Sequence, residues 1–175
     1  MRTLIERARR LRIPRRGSGR IGPVPALVVA IVVAAVVAGL GWWGNHRTDQ
    51  RDAAVRQALA TAPAAAKAIF SYDYRTFDDS IANGRTFTTG SFADEYAQTT
   101  AALKETAAKQ QAVVAAEVSA TGVVTAAADR VELLVYLNQY RRNVSTAGEK
   151  VDQNRVVLTL VPVDGEWKVS RATAI

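Results

Sequence analysis

Residues 24–43, "VPALVVAIVVAAVVAGLGWW", run for twenty positions without a charge. At about 1.5 Å of rise per residue, such a run is about 30 Å long as a helix, the thickness of a bilayer's hydrocarbon core. A stretch of this kind is expected to cross a membrane, and whatever follows it must fold on one side of that membrane. Its flanks set the direction. Residues 1–20 carry eight arginines and one acid, Glu6, and the remainder holds fifteen basic and fifteen acidic residues. All of the net charge of +7 therefore sits in the tail. Positive-inside bias puts that tail in the cytoplasm and everything beyond Trp43 on the far side.

A cleaved signal peptide is the competing reading, because Ala38, Gly39 and Gly41 supply small residues near the end of the run. The apolar stretch is longer than a signal core of about 7 to 15 residues, and Trp42 and Trp43 stand where an interfacial aromatic anchor belongs. A retained anchor fits better. The tail can also touch anionic lipid. The neutral remainder does not have the basic footprint of a nucleic-acid-binding domain, so no nucleic-acid partner is expected. The expected organisation is a basic tail at 1–20, a transmembrane helix at 21–44, a juxtamembrane linker at 45–52 and one extracytoplasmic domain at 53–175. With no cysteine, that domain cannot be stapled by disulfides and must be stabilised by a core.

Beyond the linker, Val55, Leu59, Ala62, Ala66, Ile69 and Phe70 recur at steps of three and four and predict a helix ending near Ser71. Pro63 lies inside it and predicts a kink or restart. A second, shorter helix follows, with Tyr74, Phe77 and Ile81 on one side and one of the glycines of "NGRTFTTG" closing it. Ser91 and Asp94 have capping-box spacing at the start of a third helix, whose stripe is Phe92, Tyr96, Thr100, Leu103 and Ala107. After Gln111 the period changes to two. "AVVAAEVSATGVV", "RVELLVYLNQYRR", "RVVLTLVPV" and "EWKVSRATA" read as four strands, the last two joined by Asp164-Gly165, a hairpin turn that needs positive φ. The fold class is α+β: three helices on one face of a four-stranded antiparallel meander.

Both faces of the central strands are apolar. Val131, Leu133, Val135 and Leu137 oppose Leu134 and Tyr136; Val156, Leu158 and Leu160 oppose Val157 and Val161. A sheet with one wet face should alternate apolar with polar, so the outer face is expected to meet a partner or a second copy.

Chemistry is sparse. His46 is the only histidine and lies in the linker, which leaves the domain without a Ser-His-Asp triad, a Cys-His dyad or a histidine metal site. No glycine-rich phosphate loop is present. Acid/base work by Asp73, Asp78, Asp79, Asp94 or Glu95 is conceivable beside a tyrosine. The stretch "SYDYRTFDD" (71–79) is better explained structurally: Thr76 and Asp79 have capping-box spacing, Asp78 and Asp79 suit the positive end of a helix, and Asp73 closes a turn through an Asx bond while Tyr72 and Tyr74 pack at the junction. In "YLNQYRRN", alternation puts Asn138, Tyr140 and Arg142 on one face and Gln139 and Arg141 on the other, as a strand leaving the core would. No catalytic, cofactor-binding or metal residue is assigned, and no cofactor is expected.

Together with the basic tail and the apolar run, "SYDYRTFDDSI", "TTGSFADEY", "ATGVV", "VYLNQ" and "VDGEWKVS" make the chain resemble the Mce-associated membrane proteins of actinobacteria from about residue 25 onward. The resemblance implies an NTF2-like domain, a cone of three helices packed on a curved sheet. It also implies a non-catalytic accessory or stabilising role in an Mce lipid or sterol import complex, with Mce-system membrane and envelope proteins and membrane lipids as partners, and leaves room for a homodimer through the outer sheet face. The alternative is a lipid- or sterol-binding pocket of the same fold, either a carrier or an acid/base enzyme.

Overall fold

The computed structural model describes residues 23–175 except residue 146; within the first helix, side chains are described for residues 32–36 and from 48 onward. The chain divides into two units, residues 1–42 and 43–175. Helix α1 runs Pro23–Phe70. The backbone of the apolar run is thus helical, and Val32, Val33 and Val36 within it are exposed. Among the described residues no helix is long and apolar enough to cross a membrane. The basic tail at 1–20 lies outside those residues, and so do the side chain of His46 and most side chains of the expected anchor at 21–44. The stretch 45–52, expected as a linker, is helical and part of α1.

In the second unit, α1 is followed by a two-residue strand β1 (Tyr72–Asp73), a single 3₁₀ turn (Tyr74–Thr76), α2 (Phe77–Thr86) and α3 (Gly90–Gln110). Four long strands complete the fold: β2 (Val113–Ala126), β3 (Val131–Arg142), β4 (Lys150–Val163) and β5 (Glu166–Ala174). They form one antiparallel sheet in the order β1-β2-β3-β4-β5. The sheet therefore has five strands where four were expected. The extra one is too short to show a period of two, and Tyr74 N–H donating to Ala112 O (3.1 Å) helps hold it against β2.

The inner sheet face and the helices share one core. Val131, Leu133, Val135 and Leu137 of β3 are at most 1% exposed, and Leu158, Leu160 and Val169 are fully buried. On α1 the buried residues that join this core are Ala54, Ala58, Ala62, Ala65, Ala66 and Ile69. Val55 and Leu59, expected on the buried face, are only half-buried at its flank. Small alanines let a helix backbone approach a sheet closely, so the stripe is centred on the smallest side chains rather than on the most hydrophobic ones.

The helix does not restart at Pro63; α1 continues through it. Proline removes only the bond to Leu59 O, and Pro63 is exposed, where water can satisfy that carbonyl. No glycine closes α2: Phe87 is right-handed (φ −91°, ψ −2°) and its N–H returns to Gly84 O. Thr76 is the N-cap of α2 as its spacing suggests, but its hydroxyl makes no capping bond. The Ser91–Asp94 box is also absent. α3 starts at Gly90 with Thr89 as N-cap and no side-chain cap bond, and Thr89 N–H donates to Val169 O of β5 (3.0 Å). The α3 stripe is as expected, with Tyr96, Thr100 and Ala107 buried. The Asp164-Gly165 turn forms with φ of 51° and 85°, a conformation that glycine tolerates at little cost.

Candidate interaction surface

The acid-rich stretch 71–79 is a folding device. Asp73 caps the 3₁₀ turn: Arg75 N–H donates to Asp73 Oδ1 (2.9 Å), while the Arg75 guanidinium donates to Oδ1 (3.0 Å) and Oδ2 (2.6 Å). This Asx bond matches its expected role. The hydrogen bonds from Arg75 hold the Asp73 carboxyl below the usual carboxylate range. Tyr72 packs edge-on against buried Phe77, with ring centroids 5.5 Å apart, and its partial burial pushes the phenol up. The Arg75 guanidinium also lies 5.7 Å from the centre of the Tyr74 ring. Asp78 and Asp79 are exposed in the first turn of α2, where Asp78 meets Lys104 of α3 at 2.7 Å. These acids are spread over a turn and two helices. Among the described residues, no three His, Cys, Asp or Glu side chains are grouped as metal ligands would be.

In the strand 136–143 the alternation is as read. Gln139 points to the helix side, where it donates to Phe70 O (3.4 Å) at the end of α1 and accepts from Asn154 Nδ2 (2.6 Å). Arg141 pairs with Asp152 (2.5 Å) and Arg142 with Glu149 (3.4 Å). The polar end of β3 thus ties the sheet to the end of α1 and to β4.

The opposite face of the sheet carries the other alternating set. Leu134 of β3 lies between Gly122 of β2 and Val157 of β4; Tyr136 lies between Ala120 and Arg155. Leu134, Val157 and Val161 are half-buried, and Tyr136 is 40% exposed. Polar groups surround this centre. Arg130 donates to Glu132 (3.0 Å), Thr125 donates to the same carboxylate (3.1 Å), and these two bonds hold the Glu132 carboxyl below its usual range. Lys168 stands opposite Val161 and Arg171 opposite Thr159. The Arg155 guanidinium is 5.8 Å from the centre of the Tyr136 ring. Sequence reasoning missed the Arg155–Tyr136 and Arg130–Glu132–Thr125 contacts, since cross-strand neighbours depend on a register that the two irregularities in β2, at Val118/Ala120 and Val123/Thr125, shift. On this face an apolar pair, Leu134 and Val157, therefore lies next to the rung of Glu132, Thr159 and Arg171.

No protein-family model matches the chain. Two proteins of Mycobacterium tuberculosis (strain ATCC 25618 / H37Rv) are similar over most of its length. Outer membrane protein Rv1973 is 31% identical over 153 residues, covering 86% of this chain and 92% of that protein. Uncharacterized protein Rv1362c is 28% identical over 157 residues, covering 87% and 71%. Among solved structures, an IcmL-like type IV secretion system protein of Legionella pneumophila superposes with a TM-score of 0.56 at 18% identity, over 69% of this chain and 92% of that one. The periplasmic domain of DotI gives 0.54 at 17% identity, over 67% and 92%. CagV, a VirB8 homologue of Helicobacter pylori, gives 0.53 at 10% identity, over 66% and 93%. These structures share the fold of this chain.

Proposed function

We propose that this chain, which belongs to the family of the Mycobacterium tuberculosis outer membrane protein Rv1973, is a non-catalytic accessory subunit of a multiprotein envelope complex. In this reading residues 21–44 anchor it in the membrane, with the tail 1–20 in the cytoplasm and the domain at 53–175 outside. The outer sheet face then docks onto another envelope protein. The complex is an Mce system that imports lipid or sterol, the setting suggested by the motif order from "SYDYRTFDDSI" to "VDGEWKVS".

The observation that carries the reading is the outer face itself. Leu134 and Val157 stand side by side, half-buried, with part-exposed Tyr136 next along β3, and the rung of Glu132, Thr159 and Arg171 separates them from Val161, on the side of the sheet away from the core shared with the helices. The fold neighbours add support, since they include two type IV secretion system proteins and the periplasmic domain of DotI.

The test is affinity purification of the full chain from gently solubilised, cross-linked membranes of its own host. Enrichment of Mce-system membrane or substrate-binding proteins over an unrelated single-pass control is the expected result. Recovery of the chain with no transporter component enriched overturns the assignment.

A further inference from the structure

On the helix side of the sheet, at the end where α1 stops, lies a cleft of about 380 Å³. That size falls within the range of small-molecule sites, about 300 to 1,000 Å³. Its floor is the sheet, with Val156 and Ala172, and its walls include Phe70 from α1, Ile81 from α2 and Phe92 from α3. The polar groups of the lining divide into two kinds. Deep in the cleft, Thr100 donates its hydroxyl to Tyr96 O (2.7 Å) and the Gln139 amide is used by Phe70 O and Asn154, while the Tyr96 hydroxyl is buried against Gly84 with no hydrogen-bond partner among the described residues. Glu95 and Thr99, four residues apart on one side of α3, are exposed and stand at the lip. No lysine or arginine lines the cleft.

This arrangement is a polarity gradient with a definite sign. An apolar body suits a hydrocarbon chain, and a carboxylate beside a hydroxyl at the mouth suits a head that donates a hydrogen bond. A carboxylate or phosphate head would meet Glu95 with no compensating base and would be repelled. We infer that the cleft binds a single-chain amphiphile with an uncharged, hydrogen-bond-donating alcohol head, the chain lying over Val156 and Ala172 and the hydroxyl held by Glu95 and Thr99. The site is on the opposite sheet face from the proposed docking surface, so it stands or falls independently of that reading.

The experiment uses the full chain in phosphatidylcholine nanodiscs and two diazirine-bearing probes with the same twelve-carbon chain, one ending in a glyceryl ester and the other in a carboxylate. Cross-linked positions are mapped by mass spectrometry. The glyceryl probe should label α3 around Phe92–Leu103 and β5 around Ala172, at least about tenfold more than the carboxylate probe at pH 7, a difference of one decade in affinity. Glu95→Gln should raise labelling by the carboxylate probe towards that of the glyceryl probe. Ala172→Trp should abolish labelling; if that variant does not fold, Ala174→Trp at the exposed mouth should reduce it at least about fivefold, within the range typical of pocket-blocking changes. Equal labelling by both probes at wild-type Glu95, labelling only outside the cleft, no labelling by either probe, or a cross-link between two copies through α3 in place of probe labelling overturns the inference.

Discussion

Trp167 Nε1 donates to Gln57 Oε1 at 2.7 Å, joining the last strand to the first helix across 110 positions of sequence. Trp167 is 7% exposed and belongs to the main core cluster. Trp167→Ala removes a large apolar surface and leaves a cavity, and it should cost about 3 to 5 kcal/mol. Gln57→Ala leaves the indole in place and should cost about 1 kcal/mol, the net value of one hydrogen bond. Urea midpoints of the two variants check the ratio. A Trp167→Ala domain with the wild-type midpoint would mean that β5 does not close the core.

Gly84 sits in α2 with no room for a methyl group. A Cβ there would lie 2.2 Å from the Tyr96 hydroxyl and 2.9 Å from Ala68 O. Helix propensity alone favours alanine over glycine by about 1 kcal/mol. The clash has to be relieved by moving either a buried ring or the α1 backbone, so Gly84→Ala should instead destabilise by about 1 to 3 kcal/mol. The Tyr96 hydroxyl is itself buried with no hydrogen-bond partner among the described residues, and burial pushes its pKa up. Tyr96→Phe alone should therefore be neutral or stabilising, and it should recover part of the Gly84→Ala loss. Additive effects in this double-mutant cycle would argue against direct contact.

The Asp73–Arg75 clasp predicts a pH dependence with a fixed sign. The folded-state pKa of Asp73 is lowered, first by its side-chain hydrogen bond to Arg75. A lowered folded pKa gives stability that is present above the unfolded value, about 4, and is lost as pH falls through the folded value. Asp73→Asn keeps an oxygen for the turn and loses the charge, and Asp73→Ala loses both. The Arg75 side chain is 66% exposed, so solvent screens the pair and its ionic part should be small. The cap itself should be worth about 0.5 to 2 kcal/mol. At pH 6 the expected order of stability is wild type, then Asn, then Ala. By pH 3 the gap between wild type and Asn should narrow while Ala stays lowest.

The parts of the fold that sequence shows best are those set by local period. β3 alternates as read from Val131 to Arg142, and the α3 stripe from Phe92 to Ala107 is buried as its spacing requires. The turn at Asp164-Gly165 follows from the only residues that tolerate its dihedrals cheaply. What was not legible depended on distant partners. Thr89 rather than Ser91 is the N-cap of α3, and its N–H pairs with Val169, eighty residues on. β1 exists because Val113 and Val114 of β2 pair with it, and two residues cannot announce a strand by themselves. Ala54 and Ala58 are buried where Val55 and Leu59 were expected to be, because closeness to the sheet counted for more than side-chain size, whereas Ala62, Ala66 and Ile69 are buried as read. For the outer face, the strands gave the alternating sets, whereas the cation over Tyr136 and the rim around Glu132 needed the register.

Docking through the outer face predicts a separation of binding from folding. Tyr136 is 40% exposed and Leu134 half-buried, so truncating them together should cost the isolated fold little, about 1 to 2 kcal/mol. At the centre of a contact surface, an aromatic residue ringed by charges is where binding energy concentrates, and its loss commonly costs about 2 kcal/mol or more, roughly 30-fold in affinity. Leu134→Ser/Tyr136→Ser in the full chain should therefore keep its melting transition while its recovery of envelope partners from cross-linked membranes falls by at least about tenfold. Ala102→Ser, on the exposed side of α3, is the control and should change neither. If the double variant retains its partners while a change on α3 releases them, the helix layer rather than the sheet carries the contact, and the apolar centre around Leu134 has another role.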